Sequence, residues 1–182
     1  MKRQCGDCQL CCKVMPVREL NKPGNTRCTY QKRGVGCSIY ANRPPSCRHW
    51  NCRWLLRDDT DDLSRPDRSA YVIDLMPDYV TLRQETGETI HIPVLQVWVD
   101  PARPDAWRKD RQFYAYVARQ GKTHGMGALI RNGEKEALVL FPPAVAADHE
   151  WHEMTSSVDP EKTHTLADME RLFKVDVVVE EH

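Results

Sequence analysis

Apolar positions follow two different regimes along the 182 residues of the chain. Beyond residue 70 they alternate with polar ones or recur at helical spacing, as in a packed domain. The stretch "AYVIDLMPDYVTLRQETGETIHIPVLQVWVDP" reads as strands over 71–75 and 79–84, then a turn through 85–88. A third strand follows over 89–99, which Pro93 is expected to interrupt. In "RPDAWRKDRQFYAYVARQG" the period lengthens to that of an amphipathic helix. Pro104 lies near its start, Gly121 closes it, and Ala106, Phe113, Tyr114 and Val117 face inward. Asn132-Gly133 between apolar runs predicts a hairpin. Thr165 and Asp168 stand in a capping-box-like relation at the head of a helix over 166–174, and "VDVVVEE" follows as a strand. Together these elements predict a small mixed, mainly antiparallel α+β domain over 70–182.

Before residue 58 the apolar residues come singly, scattered among cysteines and arginines. Asp7 is placed to cap a helical turn over 8–14, which Pro16 would stop, and in that turn Cys8, Cys11 and Cys12 fall on one face. Pro44 and Pro45 can begin a helix over 45–57, with Cys47, Trp50 and Trp54 along one side and Cys52, Leu55 and Leu56 on a neighbouring arc. Such short pieces carry too few aliphatic residues for a core of their own. The expected architecture is therefore α+β throughout: a small metal-stabilised cysteine-rich module with short helices over 1–57, an acidic linker over 58–69, and the domain over 70–182, whose role is unassigned.

Charge sharpens this division. Residues 1–57 hold 12 Lys and Arg against 2 Asp and Glu, whereas residues 58–182 hold 14 against 24, so a formal net charge of zero conceals +10 and −10. All eight cysteines lie in the basic part, at Cys5, Cys8, Cys11, Cys12, Cys28, Cys37, Cys47 and Cys52. No apolar run reaches the roughly 20 residues of a membrane span, and "MKRQCGDCQLCCKV" lacks the apolar core of a secretory signal. The expected address is the cytoplasm, where thiols stay reduced and tandem C-x-x-C spacing points to metal or redox chemistry rather than disulfides. A tetrathiolate zinc site carries about −2 overall, so a basic surround offsets it and lowers thiol pKa values. Eight thiolates suit two four-thiolate zinc sites, or one four-iron cluster with four cysteines to spare. Adjacent side chains diverge, so Cys11 and Cys12 more naturally serve two neighbouring metals than one. His49 stands in reserve as a ligand.

The combination of "CGDCQLCC", a central Cys28 and "CSIYANRPPSC" resembles the YkgJ-type family, the CxxCxxCC or zinc- or iron-chelating cysteine-cluster domain. Cys5, Cys8, Cys11 and Cys12 match its opening motif; Cys37, Ile39, Tyr40, Arg43, Pro44 and Cys47 match its second, and the likeness covers about 50 residues. It implies a zinc or iron–sulfur site, in a family without an assigned common reaction. One enzyme group with such a cluster methylates flagellin lysines, but nothing over 58–182 singles out that activity.

Three function classes stand beside one another. The leading one is a cytoplasmic zinc- or iron–sulfur-binding protein whose remaining half is a scaffold or a surface for a protein partner. A second is an enzyme with an open metal position for redox or group transfer. A third is a nucleic-acid module, since "CRHWNCRWLLR" interleaves Arg48, Arg53 and Arg57 with Trp50 and Trp54. Nucleic acid is the less expected partner, because the two tryptophans fall at the spacing of a buried face. "HEWHE" over 149–153 lacks the four-residue histidine spacing of a zincin, and "GKTHGMG" lacks the order of a phosphate loop. No nucleophile elbow or dinucleotide fingerprint appears.

Overall fold

A computed structural model of the chain describes residues 3–83, 86–133 and 135–158. The expected helix over 166–174 and the C-terminal strand lie outside the described residues. The acidic half is built on a five-stranded mixed sheet in the order β3-β4-β5-β6-β7. Its strands follow two short ones in the basic half, β1 (Gln31–Lys32) and β2 (Gly36–Cys37), which form their own antiparallel pair.

Strand β3 (Tyr71–Arg83) is continuous where two strands are expected, and it pairs antiparallel with β4 (Thr89–Val99). The break in the apolar pattern is real but is absorbed as a bulge. Ile73 pairs with Val97 and Pro77 with Leu95, which leaves Asp74, Leu75 and Met76 opposite Gln96 alone. Pro93 does not interrupt β4, because the partner on that side, β5 (Gly127–Arg131), begins its pairing only at Val94. The missing N–H of proline is therefore not needed for that ladder. β4 and β5 are parallel, which demands a crossover, and α5 (Arg111–His124) supplies it. Asp110 caps this helix, accepting from the Gln112 and Phe113 N–H groups at 2.9 and 3.2 Å. The helix thus starts about two turns later than the expected position near Pro104, and Ala106 is only half-buried. Gly125, at φ 64°, closes the helix in place of Gly121. The Asn132-Gly133 turn joins β5 to β6 (Glu136–Phe141) as expected. A strand not foreseen, β7 (His152–Ser157), completes the edge.

Alternation along the strands makes two apolar faces. Tyr71, Ile73, Leu95, Val97, Val99, Ile130 and Leu140 pack beneath Phe113, Tyr116 and Val117 of α5 and beneath Trp107. On the other face Val72 and Trp98 receive the cysteine-rich half, through Leu10, Val14 and Cys52. Beside that contact the sheet leaves an open groove of about 490 Å³, lined in part by Val80, Leu82, Leu129, Val139, Phe141 and Met154.

Among the described residues the basic half holds three short α-helices, α1 (Cys11–Val14), α2 (Pro45–His49) and α3 (Arg53–Leu56), and α4 (Pro66–Ser69) follows at the junction with the sheet. Two expectations fail here. Asp7 does not cap a helix over 8–14; it pairs with Arg65 at 2.8 Å, and Cys8 instead closes a turn on the Cys5 carbonyl at 2.9 Å. The helix over 45–57 is broken, with Trp50 and Cys52 in extended conformation. Tertiary contacts override helix propensity at this point. Trp50 Nε1 donates to Asp74 at 2.9 Å, Cys52 bridges antiparallel to Asp74, and the Leu75 N–H donates to the Asn51 carbonyl at 3.4 Å. The bulge of β3 is thus where the cysteine-rich half joins the sheet. The acidic stretch that follows also packs in part. Thr60 and Leu63 are buried, and Asp59 accepts from Gln120 Nε2 at 2.9 Å.

Gly121 gives a test of the crossover packing, since a Cβ at that position would run into Pro142 Cγ. Alanine is normally favoured over glycine in a helix by about 1 kcal/mol. Gly121→Ala is expected to reverse that sign and destabilise the protein by about 1–3 kcal/mol, because the overlap lies in a packed interior. Urea unfolding of the two proteins measures it, and a stabilised variant would contradict this packing.

Candidate metal centre

Placement of the thiols begins with α1, a single turn whose neighbours Leu10 and Val14 are held in the apolar contact with the sheet. The Lys13 and Val14 N–H groups donate to the Leu10 carbonyl, which fixes the turn without a side-chain cap. Lys13 reaches back to the sheet side and pairs with Asp100. Cys11 packs at the rim of the same contact with Cys52. Cys5 and Cys8 are brought close by the turn before it, in which Gly6 takes φ 53°.

Cys12 faces a different set of partners. Its carbonyl accepts from the Cys28 N–H at 3.0 Å, and the Cys28 carbonyl accepts from the Gln31 N–H at 3.1 Å. Gln31 lies on β1 directly opposite Cys37 on β2. This two-stranded hairpin is tied to the "CGDCQLCC" segment by Gln9, whose Oε1 accepts from Gln31 Nε2 at 2.7 Å and whose amide donates to the Lys32 carbonyl. Cys47 arrives on α2. Glu19 anchors that helix start, accepting from Ser46 N at 3.0 Å and Ser46 Oγ at 2.7 Å.

Lys22 was not singled out by the sequence. It is only 8% exposed, with its ammonium donating to the carbonyls of Met15, Pro23 and Lys13. Burial pulls this ammonium below its ordinary pKa, while the charges of Cys28, Cys12, Cys47 and Cys11 act against that. A buried lysine surrounded by four thiols is a counter-ion in waiting for thiolates. Its only signal in the sequence is its position between Cys12 and Cys28 in an already basic stretch.

The thiols feel one another. The Cys12 thiol is drawn down to about 7, first by its hydrogen bond with Cys11 and then by Lys22 and Arg43. Its neighbour Cys11 is pushed well up by that same bond, by burial, and by the charges of Cys12, Cys8 and Cys5. Burial pushes Cys52 up to about 12, with Cys5 and Cys8 adding to it. Burial also raises Cys5, Cys8 and Cys47; Arg43 and Arg65 oppose the rise at Cys5, and Cys12 and Cys28 add to it at Cys47. All eight cysteines are free thiols. Among the described residues, no three His, Cys, Asp or Glu side chains stand at the spacing that holds a metal ion. The backbone gathers the cysteines into one neighbourhood, and their sulfurs are not drawn in to ligand distance. The donor set still fits a thiophilic metal: soft sulfur ligands, several of them coupled, beside fixed cations.

Both tryptophans of "CRHWNCRWLLR" are used in packing. Trp50 Nε1 donates to Asp74, and Trp54 Nε1 donates to the Leu63 carbonyl at 3.1 Å. His152, from "HEWHE", donates to Asp148 at 2.8 Å on the exposed edge strand. No described helix is long and apolar enough to cross a membrane. Comparison with protein-family models, curated proteins and solved structures found no match to the chain.

The thiol order predicts reactivity. In reduced, metal-free protein near neutral pH, Cys12 is the readily ionised thiol, while burial keeps Cys52 protonated. Timed iodoacetamide labelling read by peptide mass spectrometry is expected to modify Cys12 early and Cys52 late. Early labelling of Cys52 would refute this electrostatic reading.

Proposed function

We propose that this chain is a metal–thiolate protein whose cysteines hold zinc or an iron–sulfur cluster. One observation carries the reading: the free thiols of Cys11, Cys12, Cys28 and Cys47 lie around a buried lysine, Lys22. A hydrophobic core has no use for an ammonium there, whereas a thiolate metal site does, since its net negative charge needs an offset. The two cysteine motifs shared with the CxxCxxCC family support the same reading. Zinc in such a site stabilises the fold outright, and an iron–sulfur cluster adds one-electron chemistry.

The chain's own residues perform three tasks in this reading. Arg43, Arg65 and Lys22 lower the cost of gathering thiolates. Glu19 and Gln9 hold the segments that carry Cys47 and Cys37. Leu10, Val14 and Trp50 seat the whole arrangement on the sheet.

Protein purified without oxygen is expected to contain either about two zinc ions and no colour, the stoichiometry of two four-thiolate sites, or iron with acid-labile sulfide and visible absorption. Cys8→Ser and Cys47→Ser should each lower that content, and His152→Ala should leave it unchanged. Lys22→Met should weaken metal retention about 10- to 100-fold in competition with a chelator, the usual cost of losing a group that supports ligands. Protein that carries no metal and takes up neither zinc nor iron would end the proposal.

A further inference from the structure

We infer that the segment over 159–182, outside the described residues, lies on the apolar groove of the sheet, with Leu166, Met169, Leu172 and Phe173 as its contacts. The inference is independent of the metal–thiolate reading.

The groove arises because the sheet has two apolar faces and α5 covers only one of them. On the other face the cysteine-rich half covers Val72 and Trp98. Four residues back along β4, at Val94, a separate apolar cluster begins, formed with Leu129, Ala137, Val139 and Phe141. Register aligns its members across the strands: Leu129 stands beside Val139, Val139 beside Met154, and Val80 beside Ile92. The partly buried apolar residues packed against the cluster are Val80, Leu82 and Ile92 of the sheet itself, with Val145 and Val158. Met154 remains 48% exposed on this surface. A sheet face of such composition calls for a covering layer.

The path of the chain says which layer. β7 pairs as far as Ser157, and the Val158 N–H donates to the Lys135 carbonyl at 2.9 Å. Val158 itself lines the groove. The chain therefore leaves the sheet at the groove, with residues 159–182 still to follow. Their apolar pattern suits the face. In the helix expected over 166–174, a turn of about 100° per residue brings Leu166, Met169, Leu172 and Phe173 within an arc of about 120°. Arg171 falls on the opposite side. Such a helix is about 14 Å long, and five strands spaced about 4.8 Å apart span about 19 Å. Residues 159–165 can extend to about 25 Å, enough to bring the helix anywhere over the groove. That tether also favours this occupant over others. It makes the contact intramolecular, at an effective concentration of about millimolar, which a second chain would have to outcompete.

The test uses the full chain with Phe173 replaced by photoreactive p-benzoylphenylalanine, which on illumination inserts into neighbouring C–H bonds. Adducts are expected within a single chain, mapped by peptide mass spectrometry to Val80, Leu82, Leu129, Val139 or Met154. The same probe in place of Arg171 is expected to give few of them. Equal yields from the two positions, adducts mapped elsewhere, or no adduct from position 173 would overturn the inference. Adducts joining two chains would overturn it as well, and would give the groove to a second copy. Because a probe can disturb folding, the unmodified chain supplies a second measure. Amide hydrogen exchange over 166–174 is expected to be at least about tenfold slower than in a synthetic peptide of residues 159–182, as for a packed element. Exchange at the rate of the free peptide would overturn the contact. Leu166→Asp combined with Leu172→Asp is expected to abolish the protection, and its survival in that variant would count against these residues as the contacts.

Discussion

The apolar contact of Leu10, Val14 and Cys52 with Val72 and Trp98 is the constraint on which the cysteine-rich half depends. Up to residue 57, Leu10, Val14, Val17 and Cys52 are the buried apolar residues among those described. Each contributes about 1.5–3 kcal/mol at most, against a backbone ordering cost of about 1–2 kcal/mol for every residue fixed. A segment of that length cannot be ordered by four side chains. It borrows the face of a sheet that is stable on other grounds, because α5 covers its opposite side. The buried hydrogen bond from Trp50 to Asp74 adds direction to the contact, and it does so at the one place where β3 departs from regular pairing. A bulge that would weaken an isolated sheet is here the socket for a neighbour.

Charge does what apolar burial cannot. The +10 of the basic half and the −10 of the remainder meet in specific pairs: Lys13 with Asp100, Arg53 with Asp59, Arg3 with Asp61. Lys13–Asp100 and Arg53–Asp59 are largely shielded from solvent, whereas Asp61 is exposed and its pair with Arg3 contributes little. Their arrangement matters more than their sum, since these bonds lie along the seam between halves, whereas the charges of Lys22, Arg43 and Arg65 act on the thiols. The basic excess therefore has two separate destinations within the fold.

How far this was legible in the sequence depends on the range of the interaction concerned. The bounds of β4 and the turn at Asn132-Gly133 come from local periodicity and turn chemistry, and they hold. The expectation that the adjacent side chains of Cys11 and Cys12 diverge fails, since their thiols hydrogen-bond to each other. What else failed was decided at long range. Asp7 looks like a cap until Arg65 arrives from 58 residues away. The 45–57 helix looks continuous until β3 offers Trp50 and Cys52 better partners. The parallel pairing of β4 with β5 has no local signature at all, since any amphipathic helix between two strands permits it. Lys22 was illegible for a related reason: one cation in a basic segment acquires meaning only when the chain folds four thiols around it.

The single turn of α1 unites these strands of argument. It is too short to be stable alone, having one turn of hydrogen bonds and no side-chain cap. Its four helical residues nevertheless serve distinct ends: Val14 enters the seam, Lys13 ties to Asp100, and the Cys11 and Cys12 thiols hydrogen-bond to each other near Lys22. Each of those contacts supplies order that the others use. Because Val14 and Lys13 already fix the rotation of the turn against the sheet, the directions of Cys11 and Cys12 are set before any ligand is drawn in. Preorganisation of this kind lowers the entropy that ligand binding must overcome. On a turn whose rotation is fixed from one side, two adjacent cysteines are held where their thiols meet, one drawn down in pKa and the other pushed up by the bond they share.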